Sequence, residues 1–308
     1  MVTVGTSSAA RPPRGPGEGG ADPLVVPGVH VVRAGNPGPM TLEGTNTWLV
    51  DGPDGVLVVD PGPALPEHHA AVLTALAGRH VAVVLLTHRH ADHAEGAPAL
   101  AASLGAPLRA RDPDLCQPGV PPLRDGEQVG RLRVLATPGH TSDSTCLVLT
   151  GVPGGAPTAV LTGDTILGRG TTVVAHPDGR LADYLASLRA LRNLAEESDC
   201  PVLPGHGPAL PSLRAVTRDY LDHREARLAQ VRAAVAAGLT TPRAVVERVY
   251  RDVPREVWPA AEASVAAQLL LLGLPPAPAP DPPAPGPGAP DPSAGRGAAP
   301  AARDGETA

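Results

Sequence analysis

An α/β layered domain followed by a small helical module is the fold class that this 308-residue sequence predicts. Three observations predict it. Short apolar β-type runs alternate with helical stretches as far as residue 210, and from Pro211 onward only helical spacing remains. Both ends are too rich in Gly, Pro and Ala to build a packed core.

Val29–Arg33, Thr45–Val50 and Val56–Asp60 read as strands, being apolar or β-branched runs bounded by turn formers. A helix over 66–78 follows, then Val81–Leu86, whose unbroken apolar character fits a strand buried on both faces. Further strands are expected near 107–111, 129–136, 145–150 and 158–163, with helices around 95–104 and 181–194. After Pro211, Leu213, Val216, Tyr220, Leu228, Val231 and Val235 keep a helical spacing that is interrupted at Arg224. Thr241 and Pro242 form an N-cap followed by an N1 proline, opening a helix to about Tyr250. Pro259 opens a third helix that stops at Gly273. The expected organisation is a disordered N-terminal segment over 1–23, a catalytic α/β domain over 24–210, a helical domain over 211–274 and a disordered tail over 275–308.

The composition bounds the function classes. Every basic side chain is Arg, Phe is absent, and Ile occurs only at 166, a skew that reflects a G+C-rich genome more than an activity. The segment 24–210 carries 12 Arg against 18 acids and 211–274 carries 9 Arg against 7, so neither is a strongly basic body. No apolar run approaches the roughly 18 residues of a membrane span, so no membrane partner is expected. The N-terminus lacks a signal-peptide pattern, and three scattered Cys make no disulfide framework, so a cytoplasmic location is expected. In 275–308, Pro, Ala and Gly fill 26 of 34 positions, which suits a solubilising tail or a segment that docks into an unidentified aromatic groove.

The chemistry is concentrated in LLTHRHADHAEG (85–96), where His88, His90, Asp92 and His93 fall within six residues after an apolar run. Period-two alternation puts His88 and His90 on one side of an extended segment, and a turn at Asp92–His93 aims two more donors nearby. His140 in ATPGHT, Asp164 in LTGDT and His206 in LPGHGP each follow a strand-like run and adjoin Gly. Imidazole and carboxylate suit Zn²⁺ and other first-row divalent ions. Seven such donors exceed one tetrahedral ion and match two, so two Zn²⁺ per chain are expected, with another divalent first-row metal as the alternative. His30, His68, His69, His80, His176 and His223 lack this context and are read as structural.

THRHADH, TPGHT, TGD and PGHGP, in that order, resemble the motifs of the metallo-β-lactamase superfamily over most of 24–210. The resemblance implies a four-layer αβ/βα sandwich with its metal site at one edge. It also implies that His88, His90 and His140 hold the first zinc, that Asp92, His93 and His206 hold the second, and that Asp164 bridges them. Asp at 164, where true β-lactamases usually carry Cys, points away from antibiotic hydrolysis. His at 90, where di-iron oxygen-reducing members carry Glu, points away from that branch. The segment NPGPMTLEGTNTWLVDG (36–52), the metal motifs and the helical appendix are together similar to the endoribonuclease β-lactamase-like protein 2 family. That family cleaves single-stranded RNA and carries a winged-helix-like C-terminal domain.

The resulting expectation is hydrolysis by a hydroxide held between two metal ions, with Asp92 orienting the nucleophile and carrying a proton to the leaving group. Single-stranded RNA is the first substrate reading. An ester or thioester, as in glyoxalase II or lactonases, is the alternative, because the same seven donors serve both. Asn46 and Arg169 are the candidate substrate-binding side chains, and Trp48 is read mainly as core. The arginines at 214, 218, 224, 227, 232 and 243 could contact RNA, but read chiefly as a solvated face balanced by Asp219, Asp222, Glu225 and Glu247. The resemblance also allows a homodimer.

Overall fold

The computed structural model describes residues 26–274. The segments expected to be disordered, 1–23 and 275–308, lie outside the described residues. Ten strands form two five-stranded sheets. The first contains β1 (Val29–Arg33), β2 (Asn46–Gly52), β3 (Gly55–Val59), β4 (Val81–Leu85) and β5 (Leu108–Arg109), in sequence order. Its first two pairings are antiparallel, and β3–β4 and β4–β5 are parallel. The second contains β6 (Gln128–Val129), β7 (Leu132–Ala136), β8 (Thr145–Thr150), β9 (Pro157–Gly163) and β10 (Val202–Pro204), running β10-β9-β8-β7-β6 across the sheet. Only β9–β10 is parallel in this sheet.

The all-apolar strands are explained by burial on both faces. Trp48, Val50, Leu57, Val59, Val83 and Leu85 from the first sheet meet Leu132, Val134, Leu147, Leu149 and Leu161 from the second, forming the core between the sheets. Their neighbours in sequence, Leu49, Val56, Val58 and Val84, point the other way onto α1 (Pro66–Leu76) and α3 (Ala97–Leu104). Cys146, Val148 and Val160 likewise turn outward onto α4 (Leu181–Glu197) and α5 (Leu213–Ala236). The period-two alternation thus serves two cores at once, and the expected four-layer αβ/βα order is what the chain builds.

Two local expectations are revised. The strand expected over 129–136 is a β6–β7 hairpin, because the chain turns at Gly130 with φ of +55°. The turn expected at Asp92–His93 is a short helix, α2 (Ala91–Ala94). The strand-like run expected before His206 is the three-residue strand β10, held by its pairing with β9. As its apolar spacing predicts, α5 is one continuous helix of 24 residues, with Arg224 inside it.

Ser212 caps α5 by accepting from the Ala215 amide at 3.0 Å. The first half of the helix puts Leu213, Val216, Tyr220 and Leu221 into the outer core of the second sheet. Its last turns put Val231 and Ala234 into a separate cluster with α6 (Pro242–Val249) and α7 (Trp258–Leu271). Thr241 caps α6 as its sequence suggests, accepting from the Ala244 amide at 3.3 Å. Among the described residues the C-terminal module contains helices and no strand, and no helix is long and apolar enough to cross a membrane.

Tyr220 ties α5 to the catalytic layers: it is 1 % exposed, and its hydroxyl accepts from the Leu167 amide at 2.9 Å. Tyr220→Ala is expected to cost roughly 3–5 kcal/mol, as for other buried aromatic truncations, read as a lowered urea midpoint. A loss below about 1 kcal/mol, the level of a surface change, would show that α5 merely leans on the sheet.

Candidate metal centre

The loops that follow β3, β4, β7, β9 and β10 all open at one edge of the sandwich and carry the chemistry-bearing side chains. An extended stretch after β4 delivers His88 and His90, and α2 turns Asp92 and His93 back toward them. The β7–β8 loop brings His140, the end of β9 brings Asp164, and the end of β10 brings His206. All seven donors expected from the sequence meet here, in three overlapping groups.

In the first group, His90 Nδ1 lies 3.1 Å from His88 Nε2 and 3.0 Å from His140 Nε2. In the second, His206 Nε2 lies 3.1 Å from both His93 Nε2 and Asp92 Oδ2. Asp164 stands between the groups. Its Oδ1 is 3.3 Å from His93 Nε2 and 3.4 Å from His206 Nε2, while its Oδ2 faces His140 Nε2 at 3.7 Å. His88, His93 and His206 are buried, whereas His90 is exposed and Asp92 half-buried, so the cluster opens to solvent on their side.

Hydrogen bonds on the far side of each ring set its orientation. Nδ1–H of His88 donates to Thr87 Oγ1 at 3.1 Å, and that of His140 to the Val173 carbonyl at 2.7 Å. Nδ1–H of His93 donates to Asp60 Oδ2 at 2.8 Å, and that of His206 to the Gly44 carbonyl at 3.3 Å. With the proton turned outward, each Nε2 presents a lone pair to its neighbours. Donors about 2.0–2.1 Å from one tetrahedral ion stand about 3.3 Å apart, close to the separations within each group. Asp164 Oδ1, though buried, has no hydrogen-bond partner among the described residues. Convergent lone pairs and an orphaned carboxylate oxygen fit a pair of divalent cations.

The electrostatics agree. Burial and the neighbouring His93 hold His88 well below the ordinary histidine range, and burial with His140 lowers His90, so both are neutral donors. Burial would raise Asp164, but the charge of His93, with His206 and His88 beside it, outweighs that and keeps the carboxyl well below its usual range. Burial likewise opposes ionisation of Asp92, and the adjoining His206 and His93 overcome that. Burial would lower His93, yet Asp164 and Asp60 together raise it well above its ordinary value. A cation bound beside His93 would take that proton's place.

Asp60 is the functional residue that the sequence reading missed. It is 1 % exposed and also accepts from the Thr87 amide at 2.8 Å and the Thr87 hydroxyl at 2.7 Å. One carboxylate therefore positions both His93 and, through Thr87, His88. The available signal was a lone Asp ending the apolar run VLVVD immediately before Pro-Gly-Pro. Of the two candidate substrate residues, Asn46 is corrected to a structural role. It is 1 % exposed, and its amide donates to the Pro204 and Gly207 carbonyls at 3.0 and 2.9 Å. Arg169 is exposed but paired with Glu43. Trp48 is buried, as expected, and its indole N–H donates to the Pro204 carbonyl at 3.1 Å.

Residues 40–206 match the Metallo-beta-lactamase superfamily. The chain belongs to that superfamily. Residues 241–272 match the Beta-lactamase associated winged helix domain, so the family resemblance carried by the motifs is borne out in both parts. Among relatives, Lactamase-like protein vrtG of Penicillium aethiopicum is 34 % identical over 249 residues, 75 % of this chain and 76 % of its own length. An Atrochrysone carboxyl ACP thioesterase of Aspergillus chevalieri is 32 % identical over 251 residues, 76 % of each chain. In fold, the chain is similar to a beta-lactamase domain protein from Burkholderia ambifaria, with a TM-score of 0.67 at 24 % identity over 82 % of this chain and 87 % of that one. The family is one of metal-binding hydrolases, and the His/Asp groups of this superfamily member could hold divalent metal.

Two substitutions test how the centre is supported. Asp60→Ala is expected to weaken metal binding by about 10–100-fold, read by competition with a chromogenic chelator; unchanged affinity would make Asp60 a fold residue only. At Gly205 an added Cβ would meet His93 Cε1 at 2.6 Å and Asp164 Oδ1 at 2.8 Å. Gly205→Ala should therefore lower metal content and cost about 1–3 kcal/mol from overpacking, seen by metal analysis and thermal unfolding. Full metal content in that variant would show that the centre yields freely.

Proposed function

We propose that this superfamily hydrolase is a zinc-dependent thioesterase acting on acyl groups held on a carrier thiol. His88, His90 and His140 would hold one ion, Asp92, His93 and His206 the other, with Asp164 shared. The observation that carries the choice of substrate is the placement of the aromatic side chains. The sequence has five, and Trp48, Tyr184, Tyr220 and Trp258 are buried. The fifth, Tyr250, is half-buried with the Arg227 guanidinium 4.3 Å from its ring centre. Only Tyr250 keeps ring surface toward a cleft, and the Arg227 guanidinium lies over it, whereas single-strand binding draws on successive stacking platforms along a basic groove. Arg169 at the rim is paired with Glu43, and Asn46 is committed to backbone carbonyls. These placements favour a small acyl substrate over single-stranded RNA.

The relatives lean the same way. Besides the Aspergillus chevalieri protein, an Atrochrysone carboxyl ACP thioesterase of Aspergillus fumigatus is 30 % identical over 260 residues, 76 % of this chain. Nitrogen and carboxylate donors in two small groups suit zinc. Bound there, the ions supply Lewis acidity and an activated water near neutral pH. The protein's own contribution is positioning. Asp92, half-buried at the open side with Oδ2 on His206, orients the nucleophile and accepts its proton. A thiol leaving group, with a pKa near that of cysteine at about 8.5, departs without a strong acid beside it. His90, exposed at the mouth, borders the path of the acyl group.

The test offers zinc-loaded full-length chain an acyl-pantetheine and acyl carrier panel beside a single-stranded RNA. Thioester turnover is expected, abolished by chelation and reduced at least about 100-fold in Asp92→Asn, the range of a lost general base. RNA cleavage with the thioesters untouched would overturn the assignment.

A further inference from the structure

Beside the metal cluster, the catalytic layers and the helical module enclose a second cleft of about 300 Å³. The loop carrying Met40, the loop carrying Val173, and α5 with His223, Arg224 and Arg227 contribute its lining, together with Tyr250. The remaining lining includes apolar residues between 253 and 261, and no Asp or Glu lines the cleft. It adjoins the catalytic cluster directly, because the carbonyl of Val173 is the group that receives the ring N–H of His140.

The charge in this cleft has no internal counterpart. Arg224 was expected on a solvated face, but it is 8 % exposed. One of its amino groups donates to the Thr172 carbonyl, and the guanidinium lies 5.0 Å from the Tyr184 ring centre. Arg227 donates from Nη1 to Gln230 Oε1 at 2.9 Å and to the Val249 carbonyl at 3.0 Å. Neither guanidinium has a carboxylate within ion-pair distance among the described residues. Nε of Arg224, Nε of Arg227 and Nδ1 of His223 are all buried without a hydrogen-bond partner there. Buried cations are ordinarily paired, and leaving one buried and one half-buried guanidinium together in one cleft is costly unless an anion joins them. The crowding registers on His223, which burial and the two arginines push down to about 4.

An anion alone does not account for the cleft. Its volume is that of a small ligand site, at the lower end of the usual ~300–1,000 Å³, and its apolar lining continues past the cations. The matching ligand has an anionic phosphate head for the two guanidiniums and a slender aliphatic-amide body for the apolar remainder. We propose that the cleft receives a 4′-phosphopantetheine arm, with Arg224 and Arg227 on its phosphate and the thioester presented at the metal cluster. The assignment rests on the thioesterase reading. The same arm occurs on acyl carrier proteins and in coenzyme A, and both sources meet the same two arginines.

Calorimetric titration of the full-length chain with 4′-phosphopantetheine and with pantetheine tests the cleft without turnover. Charge-assisted bonds from two guanidiniums predict at least about tenfold tighter binding of the phosphorylated arm. Arg227→Gln, at a half-buried position, should bring the two affinities together while circular dichroism stays unchanged. Equal affinities in the wild type, or an undiminished preference in the variant, would overturn the proposal. So would displacement of the arm by a single-stranded oligoribonucleotide at lower concentration. On whichever of acyl-coenzyme A and acyl carrier protein is hydrolysed, the variant should lose about tenfold in kcat/KM, and an unchanged value again overturns it. A chain that binds the arm but hydrolyses no thioester would sink only the activity. One that hydrolyses thioesters without preferring the phosphate would sink only the cleft.

Discussion

Imidazole nitrogens that turn lone pairs toward one another at about 3 Å repel unless a proton or a cation lies among them. Much of the catalytic edge can be understood as the scaffolding that enforces this approach. Four rings have their outward N–H tied to Thr87, Asp60, Val173 and Gly44, so none can rotate away without losing a bond made in a buried setting. Asp164 belongs to the same logic, since a buried carboxylate oxygen without a donor is tolerable only where charge will meet it.

Scaffolding of this kind needs rigid loops, and the helical module supplies part of the rigidity. The stretch from Thr165 to Val173 links Asp164 to the group that holds His140. Tyr184 donates to the Thr165 carbonyl, Tyr220 accepts from the Leu167 amide, and Arg224 donates to the Thr172 carbonyl. Two of these three anchors come from α5, whose first half is also part of the outer core. The module is thus mechanically continuous with the catalytic edge, so changes in its packing reach His140 through one loop.

What the sequence made legible follows the range of the interactions involved. Strands buried on both faces announce themselves as apolar runs, and a His-x-His-x-Asp-His stretch announces donors that a solvated loop would not need. Pairing and tertiary hydrogen bonds leave weaker traces. The strand β10 exists because β9 pairs with it, and Asp60 looks like any turn-forming Asp until its partners Thr87 and His93 arrive from another loop. Arg224 misled for the same reason: an arginine amid acids on a helix reads as solvent-facing, and only the position of the 165–173 loop buries it. Asn46 sits in a motif-like segment, yet its amide is spent on the chain's own carbonyls.

The seven donors fix the reaction type more firmly than the substrate, because a metal-activated nucleophile serves a phosphodiester and a thioester alike. Discrimination must come from groups that touch the rest of the substrate. Here the scarcity of aromatic and basic side chains becomes informative, because every one of the five rings can be traced to a packing role or a cation contact. The arginines divide similarly: Arg169 and Arg243 face carboxylates, while Arg224 and Arg227 face a cleft that holds none. Two guanidiniums left unmatched at one place, one loop away from the metal donors, are where the proposed reading puts the selectivity. On the proposed reading, the charge a ligand brings to that cleft, more than the chemistry at the metal edge, separates a carrier-linked acyl group from a neutral ester of the same reactivity.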